Sequence, residues 1–252
     1  MAETVIIAFL ILAAAMLYSS VGHGGASGYL AVMALFSFSP AMMRPTALIL
    51  NICVSSITAF KFASMGFFSW SKFYPFAVAS IPFAFIGGSL TLPAHFFKPV
   101  IGVVLIIAAF LLARRPKSVN DFPEQNEQPI SIPLALLLGA LLGLLSGLTG
   151  VGGGIFLSPL LIFLKWGDVR QTAAISAMFI LVNSTAGLGA NLSQSNASLL
   201  PSPIVLGALA IAAAAGGIAG ARFGTNRKQS TLALRRVLAV VLIIAAAKMI
   251  FG

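Results

Sequence analysis

The sequence predicts an all-α integral membrane protein made of two inverted-topology repeats of five helical segments, each repeat opening with a short broken or re-entrant hairpin. Three observations predict it. Hydrophobic residues make up 59% of the 252 and charged residues only 8%, whereas a soluble domain carries roughly 25% charged residues. Apolar runs of about 16–20 residues recur along the chain, near the length a spanning helix needs. The two halves of the chain also carry matching motifs in the same order. The runs are continuous in hydrophobicity and do not alternate, which argues against a barrel and leaves helices to satisfy every backbone group in lipid.

The first five segments fall at 5–20, 25–38, 45–62, 73–91 and 98–113. Met1 to Thr4 lacks the basic n-region of a signal peptide, so 5–20 is read as a retained membrane segment. Residues 114–133 form a polar linker with Pro116, Pro123, Pro129 and Pro133 and the acids Asp121, Glu124 and Glu127, a loop composition. The second five segments fall at 134–149, 153–165, 171–190, 203–221 and 232–250. The chain therefore reads as one membrane domain: a first repeat over 1–113, the linker over 114–133 and a second repeat over 134–252.

The repeat rests on residue matches. Gly22-His23-Gly24-Gly25 corresponds to Gly150-Val151-Gly152-Gly153, and Arg44-Pro45-Thr46-Ala47 to Arg170-Gln171-Thr172-Ala173. Gly87-Gly88 corresponds to Gly216-Gly217, and the run from Val103 to Ala109 is identical to that from Val240 to Ala246.

The net charge of +10 has a topological explanation. Place the linker, with Arg114, Arg115 and Lys117, in the cytoplasm, and let the first two segments of each half form a hairpin that returns to its own side. Every Lys and Arg then falls inside except Arg44, Lys98 and Lys248, a strong bias for the positive-inside rule. Both termini are expected outside, and the two repeats are inverted. Inverted repeats place substrate near the midplane between them. The hairpin segments, at about 14–16 residues, are short for full crossing, which favours re-entrant or broken helices.

The glycine clusters are the most informative feature. Ser19-Ser20-Val21-Gly22-His23-Gly24-Gly25 interrupts the first hairpin, and Ser146 to Gly154 interrupts the second. Glycine permits positive φ and close backbone approach. A helix that starts after such a cluster aims free N–H groups and the positive end of its dipole at the tip, which suits an anion. The candidate site therefore comprises Ser20, Gly22, His23, Gly24 and Gly25 from one tip and Thr149, Gly150, Val151, Gly152 and Gly153 from the other. No Gly-Lys-Ser/Thr follows either cluster, so a nucleotide loop is rejected. Gly87-Gly88 and Gly216-Gly217 read as close helix packing.

Asn51, Asn183 and Ser184 lie in spans that follow the hairpins. They face either the central cavity or a neighbouring helix, because a buried amide needs partners. His23 would hydrogen-bond the anion, couple transport to protons, or only pack. Arg44 and Arg170, at the starts of equivalent segments, either steer anions into vestibules or merely snorkel, the latter being the plainer reading, and His95 reads as a residue of an outside loop.

The five carboxylates are Glu3, Asp121, Glu124, Glu127 and Asp168, all in predicted termini or loops. Cation carriers and carboxylate proton relays place acids within the membrane, so these classes are disfavoured, as is an intramembrane enzyme. No zinc motif is present, and the single Cys53 excludes a disulfide framework. No basic patch interleaved with aromatics suggests nucleic acid. No cofactor is called for.

Gly22-His23-Gly24-Gly25, the stretch Leu148 to Ile155 with Pro159, and Asn183-Ser184-Thr185-Ala186-Gly187 resemble the TauE/SafE family of sulfite exporter-like membrane proteins. The resemblance covers nearly the whole chain. It implies a bacterial inner-membrane carrier without a prosthetic group that moves sulfite, sulfoacetate or a related small anion. An anion channel is the alternative consistent with the same sequence. A homodimer is an ordinary assembly for a membrane carrier, and no residue specifies it.

Overall fold

A computed structural model describes residues 2–90, 93–113, 128–194, 200–225 and 232–251. Most of the expected linker, including all its charged residues, lies outside the described residues, as do Arg227 and Lys228. The described residues form ten α-helices and no strand: α1 Ala2–Ser19, α2 Ala26–Leu35, α3 Pro40–Ser64, α4 Trp70–Ser89, α5 Ala94–Ala113, α6 Ile132–Thr149, α7 Gly154–Phe163, α8 Val169–Gln194, α9 Pro203–Thr225 and α10 Leu232–Phe251. Four stretches are long and apolar enough to cross a membrane: Pro40–Ser64, Ile132–Thr149, Val169–Ser193 and Pro203–Gly224. Large apolar side chains such as Phe9, Phe85, Phe110, Ile211 and Ile243 face outward, as a lipid-embedded surface requires.

The hairpins are unequal in their two arms, which differs from the expectation of two short helices each. α1 and α6 have 18 residues, about 27 Å of helix. α2 and α7 have 10, about 15 Å, roughly half the ~30 Å of a hydrocarbon core. The short arms end early because the chain turns there through a left-handed residue: Ser37 (φ 60) after α2 and Lys165 (φ 57) after α7. Each turn is closed by the same pair of bonds. Phe38 N–H donates to Met33 O and Ser37 N–H to Ala34 O; Trp166 N–H donates to Leu161 O and Lys165 N–H to Ile162 O. This is a Schellman closure, built twice. Lys248 of α10 adds bonds to Leu35 O (2.8 Å) and Ser37 Oγ (2.9 Å) at the first turn.

Glycine zippers hold the long arms. On α6, added Cβ atoms at Gly139, Gly143 and Gly147 would come within 2.5, 2.3 and 2.1 Å of the carbonyl oxygens of Phe76, Ser80 and Ala84 on α4. On α9, those at Gly216, Gly220 and Gly224 would come within 2.3, 2.1 and 2.1 Å of Leu12, Met16 and Ser20 carbonyls. Contacts that advance in step on both helices make each pair parallel. Both pairs rely on small residues spaced by four, which let helix backbones touch. Gly87 and Gly88 serve packing as well: Gly87 lies on the Leu144 carbonyl and Gly88 on Gly187. α3 and α8 pack on one another and carry the middle of the bundle. His95 belongs to α5 rather than to a loop, with its ring 4.2 Å from that of Phe96.

Candidate functional site

Each short helix starts at a glycine in the left-handed region. Gly25 (φ 101) precedes α2 and Gly153 (φ 75) precedes α7, and neither makes a side-chain cap bond. Gly22, Gly150 and Gly152 also have positive φ, at 81, 79 and 81. These angles disfavour any residue with a Cβ. The left-handed turns swing the chain back from the end of each long arm to begin a new helix inside the protein.

The result is two sets of unspent donors. Among the described residues, the N–H groups of Gly24, Gly25, Ala26, Ser27 and Gly28 donate to no acceptor, nor do those of Gly152, Gly153, Gly154 and Ile155. The first turns of a helix always leave such groups. Here they are buried and carry the positive end of the helix dipole.

One glycine of each set, Gly24 in the first and Gly152 in the second, meets the same pair of side chains. An added Cβ at Gly24 would lie 2.7 Å from Asn51 Oδ1 and 3.0 Å from Ile180 Cγ2. An added Cβ at Gly152 would lie 2.8 Å from Ile180 Cγ2, 2.9 Å from Asn51 Nδ2 and 3.2 Å from Ser184 Oγ. Asn51 and Ile180 stand near the middles of α3 and α8. Asn51 is fully buried. Its Nδ2 reaches Gly150 O and Ser184 Oγ at 3.4 Å each, longer than the usual ~2.7–3.2 Å, and its Oδ1 has no partner. A buried amide so weakly paired is expensive for a purely structural group.

The remaining candidates separate by what they already bond. Ser20 Oγ donates to Leu17 O and Thr149 Oγ1 to Leu145 O, so both hydroxyl protons are spent on their own helices. Val151 is buried, with its N–H 3.3 Å from Thr149 Oγ1. Gly22 lies on the Ala173 backbone, away from Asn51. Asn183 Nδ2 donates to Phe179 O at 2.9 Å and its buried Oδ1 has no partner. His23 Nε2 pairs with Ser158 Oγ at 2.9 Å, and Ser158 Oγ with Ser176 Oγ at 2.7 Å.

Sequence reasoning missed Tyr29, Ile180, Ser158 and Ser176. Tyr29 donates to Gly24 O at 2.6 Å and fixes the first tip; a lone tyrosine in an apolar ten-residue helix was the available signal. Ser158 and Ser176 sit in apolar runs with nothing in their spacing to mark them. A cleft of about 500 Å³ between Ser71-Lys72 and Gln128–Ile132 lies apart from both tips.

Arg44 corrects an expectation. It is 5% exposed and does not snorkel. Its Nη1 donates to Leu90 O at 2.8 Å, and Nη2 to the Gly87 and Gly88 carbonyls, so it closes the C-terminal end of α4. Arg170, its counterpart, lies 5.1 Å above the Phe67 ring. Asp168 Oδ1 accepts from the N–H groups of Arg170 and Gln171 and starts α8. No group of three metal-ligating side chains occurs among the described residues.

An outward-facing apolar surface, ten helices and paired half-helices define a multi-pass membrane protein whose polar groups are gathered inside. Comparison with known proteins agrees. Residues 7–249 match the family described as "Sulfite exporter TauE/SafE", and the chain belongs to that family as a membrane transporter. It is 41% identical to "Probable membrane transporter protein y4hK" of Sinorhizobium fredii, over 97% of this chain and 96% of that protein. It is 26% identical to a probable membrane transporter protein of Methanocaldococcus jannaschii, over 57% of this chain and 53% of that one. No solved structure matches.

Proposed function

We propose that this chain is a secondary transporter that carries a small oxyanion, sulfite or an organosulfonate such as sulfoacetate, across the bacterial inner membrane by alternating access. The observation that carries the reading is the meeting at Asn51 of Gly24 and Gly152, each next to the start of a half-helix whose first N–H groups are buried and unpaired. An anion placed there receives backbone hydrogen bonds and two dipole ends at once. Of the described carboxylates, Glu3 is exposed and Asp168 accepts from the first N–H groups of α8, so neither competes there. The family description supplies the sulfur oxyanion as substrate class.

The two repeats are inverted, with both termini outside and the linker in the cytoplasm. Support comes from the pairing of helices: α1 lies parallel to α9, and α6 to α4, as the positive-inside topology requires. The twice-built Schellman turns and the left-handed glycines at matching positions support the repeat.

The test is flux of sulfite and of sulfoacetate into liposomes holding the purified protein. Saturable uptake, accelerated by substrate on the far side and lost in Gly24→Leu and Gly152→Leu variants that still insert, is the expected result. Uptake that ignores substrate on the far side would make the protein a channel. Full-rate uptake in both variants would remove the site from the tips.

A further inference from the structure

The guanidinium of Arg44 is a buried cation with no carboxylate partner among the described residues. Among the described residues its hydrogen-bond partners are three carbonyls at the C-terminal end of α4, those of Gly87, Gly88 and the capping Leu90, and none is a carboxylate. Of the chain's five acids, Glu3 is exposed near the N-terminus and Asp168 is committed to the start of α8. The C-terminal end of α4 offers about half an elementary negative charge, and no described carboxylate adds to it. Its Nε is buried and has no partner. An unpaired donor on a buried charge is costly, and an anion beside it would supply the missing acceptor.

The position of Arg44 connects it to the centre. Asn51 follows it by seven residues on α3, about two turns and about 10 Å along the same face. Gly150 bridges the two. An added Cβ on Gly150 would come 3.1 Å from Arg44 O and 3.4 Å from its Cγ, while Gly150 O accepts from Asn51 Nδ2. Ser146, one turn before Gly150 on α6, has a buried hydroxyl oxygen without a partner.

We infer that Arg44 forms a second oxyanion site, about two helical turns from the Asn51 centre, where the transported anion rests against Nε before or after it occupies the paired helix N-termini. The inference rests on the anion-carrier reading. Lysine at this position keeps the charge and loses the planar fork that closes α4, so charge and capping separate.

The experiment uses the full chain in liposomes with sulfoacetate, comparing wild type, Arg44→Gln and Arg44→Lys for KM, maximal flux and thermal unfolding. Both variants are expected to unfold at lower temperature, because both lose the cap. Arg44→Gln is expected to raise KM about tenfold or more, as loss of a charged hydrogen-bond partner does, while Arg44→Lys keeps KM near wild type. Equal KM in all three, with only stability altered, would make Arg44 a cap and overturn the inference. Wild-type protein that moves no anion would instead overturn the carrier reading. Should Arg44→Gln fail to assemble, or wild type fail to transport, crystals of wild type grown with selenate decide by anomalous scattering. A peak at Nε supports the site, and its absence there overturns it.

Discussion

Gly24 and Gly152 press on opposite ends of one carboxamide. The hydrogen that stands for a side chain on Gly24 faces Asn51 Oδ1, and that on Gly152 faces Asn51 Nδ2. The amide of α3 is thus the point at which the two hairpins meet. An asparagine suits it because one end accepts and the other donates, without a charge that would compete with an anion.

A carboxylate in that place should be incompatible with the proposed cargo. Asn51→Asp is nearly isosteric and sets a negative charge beside Gly24 and Gly152, next to the starts of the two half-helices, so its own oxygens would take the role of the anion. Flux of sulfite or sulfoacetate should fall at least about a hundredfold, since a like charge in a low-dielectric site repels by several kcal/mol. The variant should still assemble, because the two helix dipoles stabilise the new charge. Retained flux at neutral pH would separate Asn51 from the substrate.

The two tip glycines should respond differently to alanine. Gly152 has φ 81 and close neighbours on three sides. Gly152→Ala should lose about 1–2 kcal/mol to backbone strain and about 1–3 kcal/mol more to overpacking. Gly24 lacks positive φ and meets Asn51 Oδ1 and Ile180, so Gly24→Ala should incur the overpacking alone. Thermal unfolding in detergent would rank them, and a Gly24→Ala loss equal to that of Gly152→Ala would contradict this account.

The packing glycines make a sharper contrast. Gly143 and Gly220 each face a carbonyl of a neighbouring helix, at 2.3 and 2.1 Å from an added Cβ, whereas Gly189 and Gly207 have nothing within 4 Å. Gly143→Leu and Gly220→Leu should abolish recovery of monodisperse protein on size-exclusion chromatography, because two backbones would have to separate. Gly207→Ala should raise stability by about 0.5–1 kcal/mol through helix propensity. Normal recovery of Gly220→Leu would show that α1 and α9 do not touch as described.

These contrasts explain what was legible in the sequence. Ten helices follow from apolar runs, and the tips follow from glycine density, because both depend on local composition. The unequal arms do not. α2 stops at Leu35 and α7 at Phe163 because Ser37 and Lys165 turn left-handed, and neither residue type signals that conformation. Arg44 was read as snorkelling because its sequence neighbours say nothing of α4, whose C-terminal carbonyls it receives from a segment more than forty residues away. The candidate site shows the same division: its glycines and Asn51 stand out in the sequence, while Ile180 and Ser158 come to the tips through tertiary packing.

The bond between His23 and Ser158 joins the first tip to the second hairpin, and it has no counterpart across the repeat. Val151 stands where the second repeat would need a histidine, and Leu30 where the first would need the serine. A contact that repeat symmetry does not require has to be held by its own energetics. Ser158→Ala removes one partner from the His23 ring and one from Ser176, which should lower stability by about 1–2 kcal/mol for a part-buried hydroxyl. His23→Ala removes the same bond from the other side. If the pair acts as a unit, a double-mutant cycle on thermal unfolding should show coupling of about 0.5–3 kcal/mol, with the double variant less damaged than the sum of the singles. Additive losses would mean that Ser158 serves Ser176 alone.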